Sequence, residues 1–344
     1  MKKWIINIVC LFLLIGAGCK STVLEFPEGE GVDPTLVNLN LTLMVDPTMV
    51  PYIPVRSEVG EGETHDVRWI VEVFRDEIGE KPEVRQVLSC EPGLEGHHTI
   101  RTSMALHAAC YQVVVWMEFV DKGSVADKYY KVGALSSISI LDKGDYIGND
   151  DHKDTYVAQQ EVDLRSYRDR WNETVEQTVT LQRPMAKIEL ITTDVEKFLD
   201  KVNARRSKAG NGEAESAVQS DLSSFQMVVE YAGYFPSGFN AYTNKPNASL
   251  LGMSFPGKVE QLSGKEARLA SDYIFVNGSE SAVMVNLEIR NSKGEVLNRA
   301  EGVKVPIVRG KLTTVRDEFL TRSYSPGIGI DPGFDGNIDV VIPD

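Results

Sequence analysis

The stretch Val37-Asn38-Leu39-Asn40-Leu41-Thr42-Leu43-Met44-Val45 decides the fold class. Its odd-numbered residues are all aliphatic, and Asn38, Asn40 and Thr42 fall between them. A period of two puts alternate side chains on opposite faces of a strand, one covered and one wet. The pattern recurs downstream. Val67, Trp69, Val71 and Val73 alternate with Arg68 and Glu72, residues 111–120 are apolar on both faces, and residues 129–141 supply a fourth strand. Turn-forming clusters at 59–63, 91–96 and 142–151 punctuate these runs. The first domain therefore reads as a β-sandwich.

A charged segment at 161–176, with Trp171 as its apolar landmark, carries the domain boundary, dividing the folded part into 37–176 and 177–344. Strands at 178–181 and 186–191 flank Pro184, which marks a bulge or a crossing between sheets. Thr193, Asp194, Val195 and Glu196 fit a capping box and predict a short helix over 194–203. A polar loop at 205–216 follows, then strands at 225–231, 273–276, 282–290 and 296–305, with a hairpin turn at 291–294. The halves share a class but no residue-level repeat. The expected fold is mainly β, two tandem β-sandwiches with one short helix in the second.

Working outward to the whole chain, 344 residues with 42% hydrophobic and 25% charged composition exclude disordered, collagenous and coiled-coil classes. A net charge of −14 without any basic run argues against nucleic acid as a partner. The start of the chain differs from the rest. Lys2 and Lys3 precede an apolar segment at 4–15, too short to span a bilayer, and then Gly16, Ala17, Gly18 and Cys19. Residues 1–18 read as a lipoprotein signal peptide with Cys19 as the lipidated residue, although Gly16 stands where such sites usually carry Leu. Ordinary secretory cleavage near Ala17 is the alternative. Residues 19–36, polar and rich in Gly, Pro and Glu, read as a tether.

Cys10 falls in the signal and Cys19 carries lipid, which leaves Cys90 and Cys110. In an oxidising envelope they either pair, closing a loop worth roughly 3 kcal/mol, or stay as buried thiols. The sequence nominates no catalytic residue, metal site or cofactor. His97 and His98 are adjacent and would face opposite sides of a strand. Gly60-Glu61-Gly62 lacks a dinucleotide fingerprint, and 252–257 misses the nucleophile-elbow spacing. Asp331, Asp335, Asn337 and Asp339 do not follow the EF-hand pattern, and the run Asp150-Asp151-His152-Lys153-Asp154 reads as a solvated loop. The chain reads as a non-enzyme. Tyr231, Tyr234, Phe235, Phe239 and Tyr242 form its densest aromatic cluster, either core packing around a turn at 236–238 or a platform for sugar rings.

Five segments, DVRWIVEVFR (66–75), RPMAKIELITTDVEKF (183–198), YAGYFPSGFNAYT (231–243), LASDYIFVNG (269–278) and VPIVRGKLTTVRDEFLT (305–321), run in one order over most of the chain. Together they resemble the fimbrillin family of Bacteroidales, the lipoprotein subunits of type V pili with their anchor and tip relatives. The resemblance implies two transthyretin-like sandwiches behind a lipidated Cys19, held in the outer membrane and exposed on the cell surface or fimbria. It implies assembly with other pilus subunits by strand exchange, and contact with a host glycan or protein. Residues 37–45 would fill the groove of their own domain. Residues 336–342, in which Ile338, Val340 and Ile342 alternate, would either be donated to a neighbour or complete their own sheet. Stalk subunits of the family are cut after a basic residue beyond the first strand, and between Lys20 and Arg68 the only Lys or Arg is Arg56. Anchors keep lipid and first strand. The alternative reading is a glycan-binding surface lipoprotein outside any pilus, using Tyr231, Tyr234 and Tyr242.

Overall fold

Strand β1 (Leu36–Val45) forms where the alternation predicts it, with Val37, Leu39, Leu41, Leu43 and Val45 all at most 5% exposed. The computed structural model describes residues 35–48, 64–93, 97–170, 173–208, 221–322 and 337–341. After β1 come β2 (His65–Arg75), β3 (Val84–Cys90), β4 (Thr99–His107), β5 (Cys110–Asp121), β6 (Tyr130–Val132), β7 (Ile138–Ile140), β8 (Thr155–Asp163) and β9 (Thr174–Leu181). They build one sheet in the order β4-β1-β9 and another in the order β3-β2-β5-β8. Both edges are tied. Thr102 on β4 donates to Gln86 on β3 at 2.6 Å, and Val157 on β8 forms a backbone bridge with Gln182 just past β9.

The second half supplies β10 (Met185–Thr192), helix α1 (Val195–Lys208), β11 (Gln226–Tyr231), β12 (Phe235–Asn240), β13 (Lys245–Leu250), β14 (Ser254–Pro256), β15 (Glu260–Gln261), β16 (Ala267–Phe275), β17 (Glu280–Arg290), β18 (Val296–Val308), β19 (Leu312–Asp317) and β20 (Asn337–Val341). Its sheets run β15-β16-β10-β19-β20 and β14-β11-β17-β18. β1 is antiparallel to β4 and parallel to β9; β10 is antiparallel to β16 and parallel to β19. The correspondence extends to the facing sheets, where β14-β11-β17-β18 repeats β3-β2-β5-β8 strand for strand. The chain is thus a duplicated seven-strand sandwich, repeated in connectivity and alternation rather than in residues. Alternation and chain order suffice to specify such a topology, because many hydrophobic sets of similar volume fill the same core.

Pro184 sits at the crossing. The chain leaves the first sheet at Leu181 and enters the second at Met185, a few residues beyond the division at 176/177. The halves are joined further by a sheet in the order β13-β12-β7-β6, drawing two strands from each. Gly238 on β12 lies opposite Ser139 on β7, and a Cβ there would stand 2.5 Å from Asn247 Oδ1 and 3.3 Å from the Ile138 carbonyl, so the glycine permits the approach. Trp116 of β5 contacts Tyr130, Phe239 and Phe275 at ring-centroid distances of 6.0, 5.9 and 6.4 Å, carrying one apolar core across all these layers.

Several sequence expectations are corrected. The run at 129–141 is a hairpin, β6 and β7, because the chain turns at 134–137, where the Ser137 amide donates to the Ala134 carbonyl. β8 occupies 155–163, where the sequence reading put a boundary segment from 161. β2 is covered on both faces: Arg68 and Glu72, 4% and 1% exposed, are not wet alternates but buried partners of Glu118 and Arg85. Helix α1 starts one residue late and runs longer than 194–203; the Asp194 carbonyl accepts from the Phe198 amide while its carboxylate accepts from the amides of Leu320 and Thr321. The turn at 291–294 forms as expected, with Gly294 at φ 81°. Cys90 and Cys110 are free thiols at opposite ends of β2: Cys90 faces Val67, whereas the Cys110 carbonyl accepts from the Asp76 amide. Nine residues of strand separate those positions by about 30 Å, and a disulfide needs Cα atoms within about 7 Å.

Candidate functional site

β1 is bonded on both sides along its length, from Leu36 opposite His107 to Met44 opposite Thr99, and from Asn38 opposite Thr174 to Val45 opposite Leu181. Its five inward side chains lie in the first core, while Asn38 faces solvent and Asn40 donates to Glu176 on β9 at 2.7 Å. Full burial of such aliphatic side chains is worth about 1.5–3 kcal/mol each, so the strand accounts for gross apolar stabilisation comparable with the net stability of a whole domain. Without it, β4 and β9 would face each other across a gap with unpaired backbone and five empty sockets. Only another extended segment with the same alternation could refill that gap.

β20 holds the segment that the sequence reading gave either to a neighbour or to its own sheet. It pairs antiparallel with β19, Asn337 opposite Arg316 and Val341 opposite Leu312, as the last member of its sheet. The structure thus seats the C-terminal strand in its own sheet, held along one side by one neighbour, whereas β1 is held along two.

Cys19 and Arg56 lie outside the described residues, as do Trp171, Asp331 and Asp335. The aromatic cluster divides. Tyr231 is buried with its hydroxyl on Asp272 Oδ2 at 2.6 Å, and Phe235 and Phe239 are core. Tyr242 is half-buried, donates to Glu72 at 2.6 Å and meets the edge of Phe74. Tyr234 alone of the three tyrosines is open, at 73% exposure, so they do not form one platform.

The run 150–154, read from sequence as a solvated loop, is a clasp between the halves. Asp150 accepts from Tyr129 at 2.7 Å and contacts His152; Asp151 pairs with Lys187 of β10 at 2.8 Å. Lys153 pairs with Asp272 of β16, and Asp154 takes Arg183 Nε at 2.8 Å on each oxygen. These partners lie up to 119 residues away, and no local spacing announces them. Among the described residues no group of three His, Cys, Asp or Glu side chains is placed to hold a metal, and no helix is long and apolar enough to cross a membrane.

No curated protein matches the chain. Among solved structures it is similar to the fimbrial anchor protein Mfa2 of Porphyromonas gingivalis, with 10% identity over 82% of this chain and 90% of that one and a TM-score of 0.44. It is also similar to a Bacteroides thetaiotaomicron protein described as polysaccharide-binding, with 11% identity over 81% and 90% and a TM-score of 0.48. A fimbrial assembly protein of Parabacteroides distasonis gives 13% identity over 81% and 90%, with a TM-score of 0.39. A family model described as a family of unknown function, DUF6562, matches residues 34–343, and the chain belongs to that family.

Proposed function

We propose that the protein is a non-enzymatic cell-surface lipoprotein of the fimbrillin type that builds, anchors or caps a pilus by strand exchange. The observation that carries this reading is β1: a first strand, central in its sheet, whose removal would leave a groove that only another extended segment could fill. The five family-like segments support the same reading from the sequence side. In a stalk role, cleavage after Arg56 would release β1, and the terminal strand of a neighbour, with Ile338, Val340 and Ile342 alternating, would take its place. In an anchor role, the chain keeps β1 and is held in the outer membrane through Cys19.

Intact-mass measurement of the protein from native outer membranes, with denaturing gels run with and without boiling, tests this. A lipid adduct on Cys19 with an uncut chain supports an anchor or terminal subunit. A chain starting at Ser57 with heat-labile ladders supports a polymerising subunit. An uncut chain that carries no lipid and co-purifies with no pilus component removes the proposal.

A further inference from the structure

Lys153 and Asp272 are both sealed from solvent, their side chains 3% and 0% exposed, and they join the turn at 151–153 to strand β16 of the second half. The Asp272 carboxylate is held at both oxygens. Oδ1 takes Lys153 Nζ and the Tyr273 amide, the latter at 2.8 Å; Oδ2 takes the phenols of Tyr146 and Tyr231 at 2.5 and 2.6 Å. Lys153 Nζ also donates to the Tyr146 hydroxyl at 2.9 Å. Aromatic rings close the surroundings: Phe235 packs on Tyr231 at 4.4 Å and on Tyr146 at 5.5 Å, and Phe255 on Tyr146 at 5.9 Å. The two phenols serve the oxygen that Lys153 leaves free, and a buried ion pair is costly to keep where an uncharged alternative exists.

We propose that Lys153 and Asp272 condense into an intramolecular amide that covalently bolts the first half of the protein to the second. Burial holds the Lys153 amine below its ordinary value, and the proton that Nζ gives up passes to Oδ1, the atom it already bonds. The freed amine lone pair then adds to Cγ, and the charge that develops on Oδ2 meets the two phenols, arranged as an oxyanion hole. The nitrogen yields its extra proton to Oδ1, the Cγ–Oδ1 bond breaks, and water departs. Ammonium and carboxylate become amide and water; the pair supplies every atom and no oxidant or co-reactant is required. The two groups are already in contact, which removes the entropy cost of bringing them together. The product keeps the phenol hydrogen bonds on the carbonyl oxygen and replaces a buried ion pair with a neutral group.

The test is a tryptic map of the full chain after denaturation. Condensation blocks cleavage at Lys153, so peptide 144–165 should appear joined to peptide 269–290 at their summed mass less one water. Separate 144–153, 154–165 and 269–290 peptides at unmodified mass would overturn the proposal. The wild-type map decides the matter without any variant. Lys153→Arg keeps the charge and cannot form the amide in this way, so its map should be linear; a joined pair surviving in that variant would also overturn the assignment. The proposal does not rest on strand exchange, and either can fail alone.

Discussion

His65 and His152 stack ring on ring, with centroids 3.7 Å apart and planes 13° from parallel. His65 Nε2 contacts the Tyr129 hydroxyl at 3.0 Å and its Nδ1 contacts Thr64 Oγ1 at 2.8 Å, so this ring is fixed inside the first half beside the clasp.

Burial lowers the His65 pKa, and the neighbouring His152 and Lys128 push the same way against Asp150 and Asp121. The unfolded chain therefore binds a proton at this site over a range in which the folded chain does not. Stability from His65 is whole above about pH 6.5 and is lost as pH falls through the folded value. Glu118, pushed up to about 7 by burial against the opposing pull of Arg68, acts in the opposite sense over the same window. The His65 contribution is thus read as a difference. Thermal melts at pH 7.5 and 5.5 should show that His65→Phe loses less stability on acidification than wild type; an equal loss would remove His65 as a source.

Leu41→Ala should cost about 2–5 kcal/mol, because Leu41 is buried in the middle of β1 with neighbours on both strands. Thr42→Ala, on the outer face, should cost well under half as much. Urea titrations of both variants check the contrast, and equal costs would mean that β1 is not packed on one face.

Arg183 and Asp154 form a buried pair completed by Tyr156, which donates to Asp154 at 2.7 Å and receives Arg183 Nη2 at 2.6 Å. Arg183→Met strands the carboxylate and should cost about 3–5 kcal/mol. Replacing both, with Arg183→Met and Asp154→Leu, should recover most of that loss. Denaturant midpoints of the two variants measure it.

Iodoacetamide added to the denatured but unreduced protein should label both Cys90 and Cys110, and prior reduction should add no further label at either. Their placement at the two ends of β2 gives this outcome. A label that appears only after reduction would require a different register for β3 or β5.

The period of two made β1 legible, turn chemistry gave the turn at 291–294, and Pro184 marked a bulge or a crossing, because each depends on neighbours in sequence. β2 misled for the same reason: Arg68 and Glu72 alternate like wet residues, and only distant Glu118 and Arg85 explain their burial. The aromatic cluster left core packing and a sugar platform both open, and Asp272, 41 residues from Tyr231, supplies the partner that decides for burial there. The duplication was invisible in residues because it is carried by strand order alone. The segment 150–154 was the largest miss, since a loop and a clasp have the same local composition and differ in what meets them.

The sheet built from β6, β7, β12 and β13 sets a timetable. β7 cannot find β12 until roughly a hundred further residues have emerged, and long-range pairing of that kind delays folding because the closure entropy precedes the gain. The first half must therefore wait with Ile138 and Ile140 uncovered while the second is delivered. The chain reaches its final packing only after β13 has arrived, which makes the delivery of the second half, rather than the pairing of the first strands, the step that commits the protein to its shape.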